Sequence, residues 1–348
     1  MKPSVVDFFC GCGGTSAGLQ AAGMSVIAGI DNDAIALKTF SRNFPDALAL
    51  EQDISKLAAR QLARMLGDVK RPLVFAACAP CQPFSKQNRN KCDSDDRRIL
   101  LDELHRFVRL FRPDYIVLEN VPGLQRVKEG PFFRFTEFLT KLKYKFDFDI
   151  KDAMDYGVPQ TRRRLVLLAS RHGQISLPPH THGAAAGLKK YTTVKDAISS
   201  FPVLAAGEKC PDVANHEVAN ISAINIQRLR HTPPGGDRRD WPEHLLLECH
   251  KKEVGYTDTY GRLSPDLPAK TLTTKCFSVS NGRFAHPTQN RGLSVREAAA
   301  LQTFEDSFVF EGTLTQAARQ VGNAVPVRFA AALGKAIKNH HSTVGLDG

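Results

Sequence analysis

No run of this sequence approaches the ~18 consecutive apolar residues that a membrane span requires. The start, Met1-Lys2-Pro3-Ser4, lacks the basic and then apolar pattern of a secretory signal. Neither a membrane partner nor export is expected, and the expected location is cytoplasmic. Metal-ligand spacing is also scarce. Cys10-Gly11-Cys12 leaves one residue between thiols, whereas a structural zinc knuckle usually leaves at least two. Cys78-Ala79-Pro80-Cys81 keeps a four-cysteine zinc site and a thioredoxin-like redox pair as rival readings, but in a reducing compartment the eight cysteines should be thiols. His172, His180 and His182 have no cysteine or carboxylate spaced to join them, so no metal is expected. Acidic residues are the remaining shortage, 36 against 47 Lys and Arg. The resulting net charge of +11 points to a polyanionic partner such as nucleic acid, without separating DNA from RNA or an acidic membrane surface.

What is present is an alternation of strand and helix signals over the first half of the chain. Its 348 residues exceed the ~250 to 300 at which single cores stop growing, so two domains are expected. Val5 to Phe9 reads as a first strand, Cys10 to Gly14 as a glycine turn and Thr15 to Ala22 as a helix. Backbone N–H groups at such a helix start lack partners and suit an anionic or polar ligand group. A second strand, Ser25 to Ile30, ends in Asp31, twenty positions after Gly11, the distance at which an acid meets a pair of ribose hydroxyls. The dinucleotide fingerprint is broken, because Ser16 stands where its third glycine belongs. The pattern therefore indicates a nucleoside-containing cofactor; an ordinary strand-to-helix turn is the plainer alternative.

The apolar run Pro72 to Ala77 is short enough for a buried parallel strand and ends at Cys78-Ala79-Pro80-Cys81-Gln82-Pro83-Phe84-Ser85. Open α/β sheets place their chemistry at the carboxyl ends of strands. Two prolines lock the backbone around Cys81, and the charged stretch from Lys86 to Arg98 has the composition of a lid. A lone cysteine on an apolar strand end is more often core than catalyst. Helix Ile99 to Phe111 and strand Tyr115 to Leu118 bring Glu119 to the same edge, where burial would raise its pKa; capping a turn is the commoner role for a lone Glu. In Gln160-Thr161-Arg162-Arg163-Arg164, strand alternation predicts Arg162 and Arg164 on one face, at a cost unless anions meet them there, or else on a solvated edge.

After Ser170 the composition changes. His172 to Thr193 reads as a linker, and from Tyr191 to about Pro287 the alternation gives way to turn-rich, basic stretches suited to phosphate contacts. These include Pro233 to Arg239, with Arg238 and Arg239, and Pro268 to Lys275, with Lys270, Thr271 and Thr273; a basic but merely solvated surface is open for each side chain. Leu293 to Gln302 is a helix with a Ser294/Glu297 capping box. Gln320 to Pro326 reads as a Gly-Asn turn before a last helix, Val327 to Ile337.

Phe9-Cys10-Gly11-Cys12-Gly13-Gly14, Pro80-Cys81-Gln82, Glu119-Asn120-Val121, Gln160-Thr161-Arg162-Arg163-Arg164, Arg296-Glu297 and Gly322-Asn323-Ala324-Val325-Pro326 together resemble the ordered motif set of bacterial-type DNA (cytosine-5)-methyltransferases. The resemblance implies a doubly wound, Rossmann-like α/β domain for S-adenosylmethionine, residues 1–180 plus 318–348, and a smaller irregular target-recognition domain, 181–317, inserted before the C-terminal helix. It implies methyl transfer to carbon 5 of a cytosine flipped out of duplex DNA, with Cys81 as nucleophile, Glu119 on the base, and Arg164 and Arg162 positioning the base oxygen and the carboxylate. By the same resemblance Phe9 meets the adenine, Gly11 and Gly13 allow close backbone approach, Asp31 meets the ribose, and Asn32 follows it at the adenine. Asp53 and Ile54 flank the adenine; Pro80, Leu100 and Asn323 line the methionine end. Ser85 and Arg97 belong to the loop over the DNA. Two positions depart from the pattern: Asn32, where some relatives carry a large aromatic, and Arg98, where the family has glycine. Cognate restriction or defence proteins are implied partners. A tRNA-methylating branch that shares the motifs and a binding protein without turnover are the alternatives.

Overall fold

The computed structural model describes residues 2–79, 100–250 and 258–345. In chain order its strands and helices are β1 (Ser4–Phe8), α1 (Gly14–Ala21), β2 (Ser25–Asp31), α2 (Ala34–Asn43), β3 (Leu48–Glu51), α3 (Ala59–Leu66), β4 (Leu73–Ala77), α4 (Leu100–Phe111), β5 (Tyr115–Asn120), α5 (Pro131–Lys141), β6 (Lys145–Asp152), β7 (Arg163–Ser170), α6 (Val194–Ile198), α7 (Ala223–Arg230), α8 (Val295–Leu301), α9 (Leu314–Asn323) and α10 (Val327–Thr343). Among the described residues no helix is long and apolar enough to cross a membrane.

The chain divides into two compact units. The first, residues 1–156, 163–180 and 325–348, holds one seven-stranded sheet in the order β3-β2-β1-β4-β5-β7-β6. Strands β3, β2, β1, β4 and β5 run parallel, and β7 is antiparallel to both of its neighbours. Ser4–Phe8 and Leu73–Ala77 are buried throughout, which is why they read as continuous apolar runs rather than alternating ones. The core forms where Phe8 meets Phe75 edge-on, ring centroids 4.9 Å apart, with Phe107 of α4 5.1 Å from Phe8. The last helix packs on the first. A Cβ on Gly18 would stand 2.4 Å from the Ala330 Cβ and 2.5 Å from the Val327 carbonyl oxygen, so no larger residue lets α1 and α10 approach this closely.

The second unit, residues 157–162 and 181–324, contains α6 to α9 and little other regular structure. Its apolar packing includes Leu229 with Val279 and Ala285, and the rings of Phe304, Phe308 and Phe310. Buried arginines take over the work of a ladder. Arg262, 3% exposed, donates to the carbonyls of Leu229, Thr232, His286 and Gln289 at 2.6 to 2.7 Å and to Asn290 Oδ1 at 2.8 Å. Arg296 donates to Ala214, Glu305 and Phe308 carbonyls, and Arg291 grips Glu297 through both of its terminal nitrogens. The Ser294/Glu297 capping box forms as expected.

Three local expectations are corrected. The segment before Pro326 is not a free turn: Gly322 and Asn323 finish helix α9, whose small residues Ala317, Ala318 and Gly322 pack inward. Helix α10 runs on to Thr343 rather than stopping at Ile337. The stretch read as a linker is folded back on itself, with Gly183 N–H donating to Lys189 O and Lys189 N–H to Thr181 O.

Candidate active site

In the first unit, β2, β1, β4 and β5 are neighbours and parallel, so their carboxyl ends open on one edge. The strand order reverses between β1 and β4, the place where open α/β sheets bind ligands. There the chain after β1 makes an unusual turn. Phe9 has φ 57°, a left-handed conformation that costs a non-glycine residue roughly 1 kcal/mol, and Gly11 follows at φ 53°. The Gly11 N–H donates to Asp31 Oδ2 at 2.8 Å and the Asp33 N–H to Asp31 Oδ1 at 2.9 Å. Burial pushes the Asp31 carboxyl above its usual range. Each Asp31 oxygen accepts one amide and keeps acceptor capacity for hydroxyl groups.

Gly11 and Gly13 prove different in kind. A Cβ on Gly11 would meet nothing within 4 Å, the open space a close ligand needs. One on Gly13 would lie 2.4 Å from the Phe44 ring, so that glycine, at φ 97°, serves packing and the entry into α1. Asn32 is exposed, Ile54 is buried, and Leu100 is half-buried at the start of α4. Asp53 accepts both the N–H and the hydroxyl of Ser55 on one oxygen, which lowers its pKa.

Asp7 is a residue that sequence reasoning passed over. It is fully buried in β1, takes the Ser16 hydroxyl on Oδ2 at 2.7 Å, and leaves Oδ1 with no hydrogen-bond partner among the described residues. Burial is the main cause that pushes its pKa up to about 7. An acid in the middle of an apolar run was the available signal. A buried orphan acceptor beside an open glycine fits a ligand that brings hydroxyl or cationic groups.

Glu119, the penultimate residue of β5, is 4% exposed and is gripped from two sides. Arg164 Nε lies 2.9 Å from Oε1, a charge contact without a directed hydrogen bond, and the Cys78 thiol donates to Oε2 at 2.9 Å. The side chain of Asn120 donates to Ala79 O at 3.2 Å, tying β5 to the segment that leaves β4. Pro80, Cys81, Ser85, Arg97 and Arg98 lie outside the described residues.

The expectation for Arg162 is corrected. Strand β7 starts at Arg163, so the alternation that paired Arg162 with Arg164 does not apply. Arg162 belongs to the second unit and donates to the carbonyls of Leu272 and Gly322, each at 3.2 Å. Gln160 extends the same anchorage, accepting from Leu272 N–H at 2.8 Å and donating to Gln302 Oε1 at 3.0 Å. Arg238, on a short 3-10 turn, is buried at 7% exposure. Its neighbour Arg239 is the outward one, 72% exposed and held by Asp237 through Nε at 2.8 Å and Nη2 at 2.7 Å. Lys270 and Thr271 are exposed, the Thr271 hydroxyl donating to Thr161 O at 2.6 Å; Thr273 is half-buried, and Asn323 is exposed at the end of α9.

Comparison with known proteins decides the family. The profile described as "C-5 cytosine-specific DNA methylase" matches residues 4–339. The chain belongs to that family. Among curated relatives, the Type II methylase M.HgiDII of Herpetosiphon aurantiacus is 39% identical, covering 97% of this chain and 96% of its own. The Type II methyltransferase M1.HphI of Haemophilus parahaemolyticus is 36% identical over 97% of this chain and 87% of its own. A prophage-encoded DNA modification methyltransferase structure from E. coli superposes with TM-score 0.77 at 24% identity, covering 97% and 99% of the two chains, and shows the shared fold. As a C-5 cytosine-specific DNA methylase, the protein transfers methyl groups from S-adenosylmethionine to carbon 5 of cytosine in DNA. The open space at Gly11, the acid at Asp31 and the orphaned Asp7 oxygen are features that fit the hydroxyl and cationic groups of such a cofactor.

Proposed function

We propose that this methylase modifies cytosine within a specific duplex DNA site through a covalent adduct on Cys81, and that residues 181–317 select the site. The observation that carries the reading is the Glu119 carboxylate, buried at the carboxyl end of β5 with Arg164 on one oxygen, on the edge where β4 leads through Ala79 toward Cys81. Carbon 5 of cytosine is a weak nucleophile. The Cys81 sulfur bonds to carbon 6, and the electron pair displaced from the ring double bond makes carbon 5 nucleophilic. Glu119 hydrogen-bonds the ring edge at nitrogen 3 and holds the proton that the adduct needs there, while Arg164 holds that carboxylate in place. S-adenosylmethionine, when bound, supplies the electrophilic methyl group. Loss of the carbon-5 proton then returns the electron pair, expels the Cys81 thiolate and restores the ring. Because the target atom is inaccessible in stacked DNA, the cytosine is flipped out first.

Phe9, Asp31, Asn32, Asp53, Ile54, Pro80, Leu100 and Asn323 contact the cofactor in this reading, and Ser85, Arg97, Arg239, Lys270, Thr271 and Thr273 contact DNA. The Type II names of the relatives support a place in a restriction-modification system with a cognate nuclease. Long duplex DNA substituted with 5-fluorocytosine, which cannot release its carbon-5 substituent, tests the chemistry. The wild-type chain should form a denaturation-stable adduct that Cys81→Ala abolishes, with no adduct on 5-fluorocytosine tRNA. An adduct that survives Cys81→Ala would refute the nucleophile, and one formed on tRNA alone would refute the substrate.

A further inference from the structure

Cys78 carries a thiol with a definite partner at this edge. It follows directly on β4, its own N–H donates to Phe8 O at 3.3 Å, and its Sγ lies 2.9 Å from Glu119 Oε2. Among the described residues that thiol makes the only hydrogen bond to the Glu119 side chain, since Oε1 has the Arg164 charge beside it but accepts no directed bond. Burial of the sulfur, followed by the neighbouring Glu119 charge, pushes the Cys78 pKa well above 9. The group is therefore a thiol throughout the working range, and toward a carboxylate it acts as donor.

We propose that Cys78 is a positioning residue for methyl transfer: its S–H occupies Glu119 Oε2 and so leaves Oε1 as the oxygen that exchanges a proton with the cytosine ring. A carboxyl group that turns freely presents either oxygen; one pinned on one side presents the other in a fixed direction. The Asn120 bond to Ala79 acts one residue further along both strands, so β4 and β5 are cross-tied twice, once side chain to side chain and once side chain to backbone. The inference rests on the assignment of Glu119 to the base.

The test uses the full chain, long unmethylated duplex DNA amplified in vitro, and S-adenosylmethionine with a labelled methyl group. In Cys78→Ala, kcat should fall about tenfold, the loss of one hydrogen bond to a charged group. KM for DNA and cofactor should stay within about twofold. Cys78→Ser, which keeps a donor, should restore the rate. Unchanged kcat in Cys78→Ala would overturn the proposal, as would a serine variant as impaired as alanine, since the sulfur would then matter for packing alone. Glu119→Ala separates the two claims. If it is inactive while Cys78→Ala is normal, only the role of Cys78 fails; if it keeps full activity, the assignment of Glu119 itself fails.

Discussion

The two units of this chain reach a fixed shape by opposite means. In the first, Phe8, Phe75 and Phe107 interlock under a hydrogen-bonded sheet, and the polar groups that matter stand at strand ends. In the second, where helices are short and strands absent among the described residues, the backbone's carbonyls are collected by guanidinium groups such as Arg262 and Arg296. The contrast teaches how a loop-rich region satisfies its backbone without a ladder: each buried arginine collects several carbonyls that no strand pairs. It also separates two uses of charge. Arginine at Arg262 is scaffold, while Arg239, pinned by Asp237, keeps an outward-facing fork.

The hardest test of that contrast is Arg262→Leu, which strands three buried carbonyls and a partly buried one and should cost about 3 to 5 kcal/mol. Trp241, the chain's only tryptophan, lies in the second unit, so its fluorescence follows that unit during urea unfolding. Its transition should move to lower urea while amide protection of β1, β4 and β5 is retained. Equal loss of protection in both units would show that the arginines are not local scaffolds.

A smaller effect concerns acid, where the units should respond with opposite sign. In the second, the Arg239 guanidinium holds Asp237 down to about 2, so its contribution is complete above the ordinary value near 3.8 and is lost as pH falls toward 2. In the first, Asp7 is raised to about 7, so its contribution is complete below 3.8 and is lost as pH rises through 7. Asp237→Asn should remove the acid sensitivity of the Trp241 transition, and Asp7→Asn should flatten the decline of the far-ultraviolet transition between pH 4 and 7. The same slope in wild type and variant would reject either assignment.

The smallest effect should not distinguish the units at all. Asp33 caps α2 through the N–H groups of Ile35 and Ala36, and Thr313 caps α9 through that of Gln316. Removing either cap with alanine should cost about 1 kcal/mol, read from urea midpoints. A cap in the irregular unit worth several times the other would mean that its helices lean on local bonds more than the contrast allows.

Much of the first unit could be read in advance because parallel strands buried on both faces announce themselves: Pro72 to Ala77 and Tyr115 to Leu118 need no partner to be recognised. The capping box at Ser294 was equally legible, since its geometry lies within four residues. What escaped depended on distant contacts. Asp7 hid inside an apolar run, and its meaning appears only when burial and the orphaned oxygen are known. Arg162 obeyed the rule of alternation on paper, but a strand that begins one residue later annuls the rule, and carbonyls more than a hundred positions away claim its guanidinium. Helix α9 was missed because Val321 is the one large apolar residue on its packed side, beside Ala317, Ala318, Gln320 and Gly322, which carry little periodic signal. Arg238 and Arg239 look alike in sequence; a single short turn sends one inward.

The six-residue strap 157–162 has an evolutionary corollary. Residues 181–324 exchanged between relatives by recombination would leave that strap behind, because it lies upstream in the gene, among the codons of the first unit. Any incoming segment must then present its own amide and carbonyls where Leu272 and Gly322 now offer theirs to Gln160 and Arg162. Such shuffling can succeed only from donors that have kept this socket.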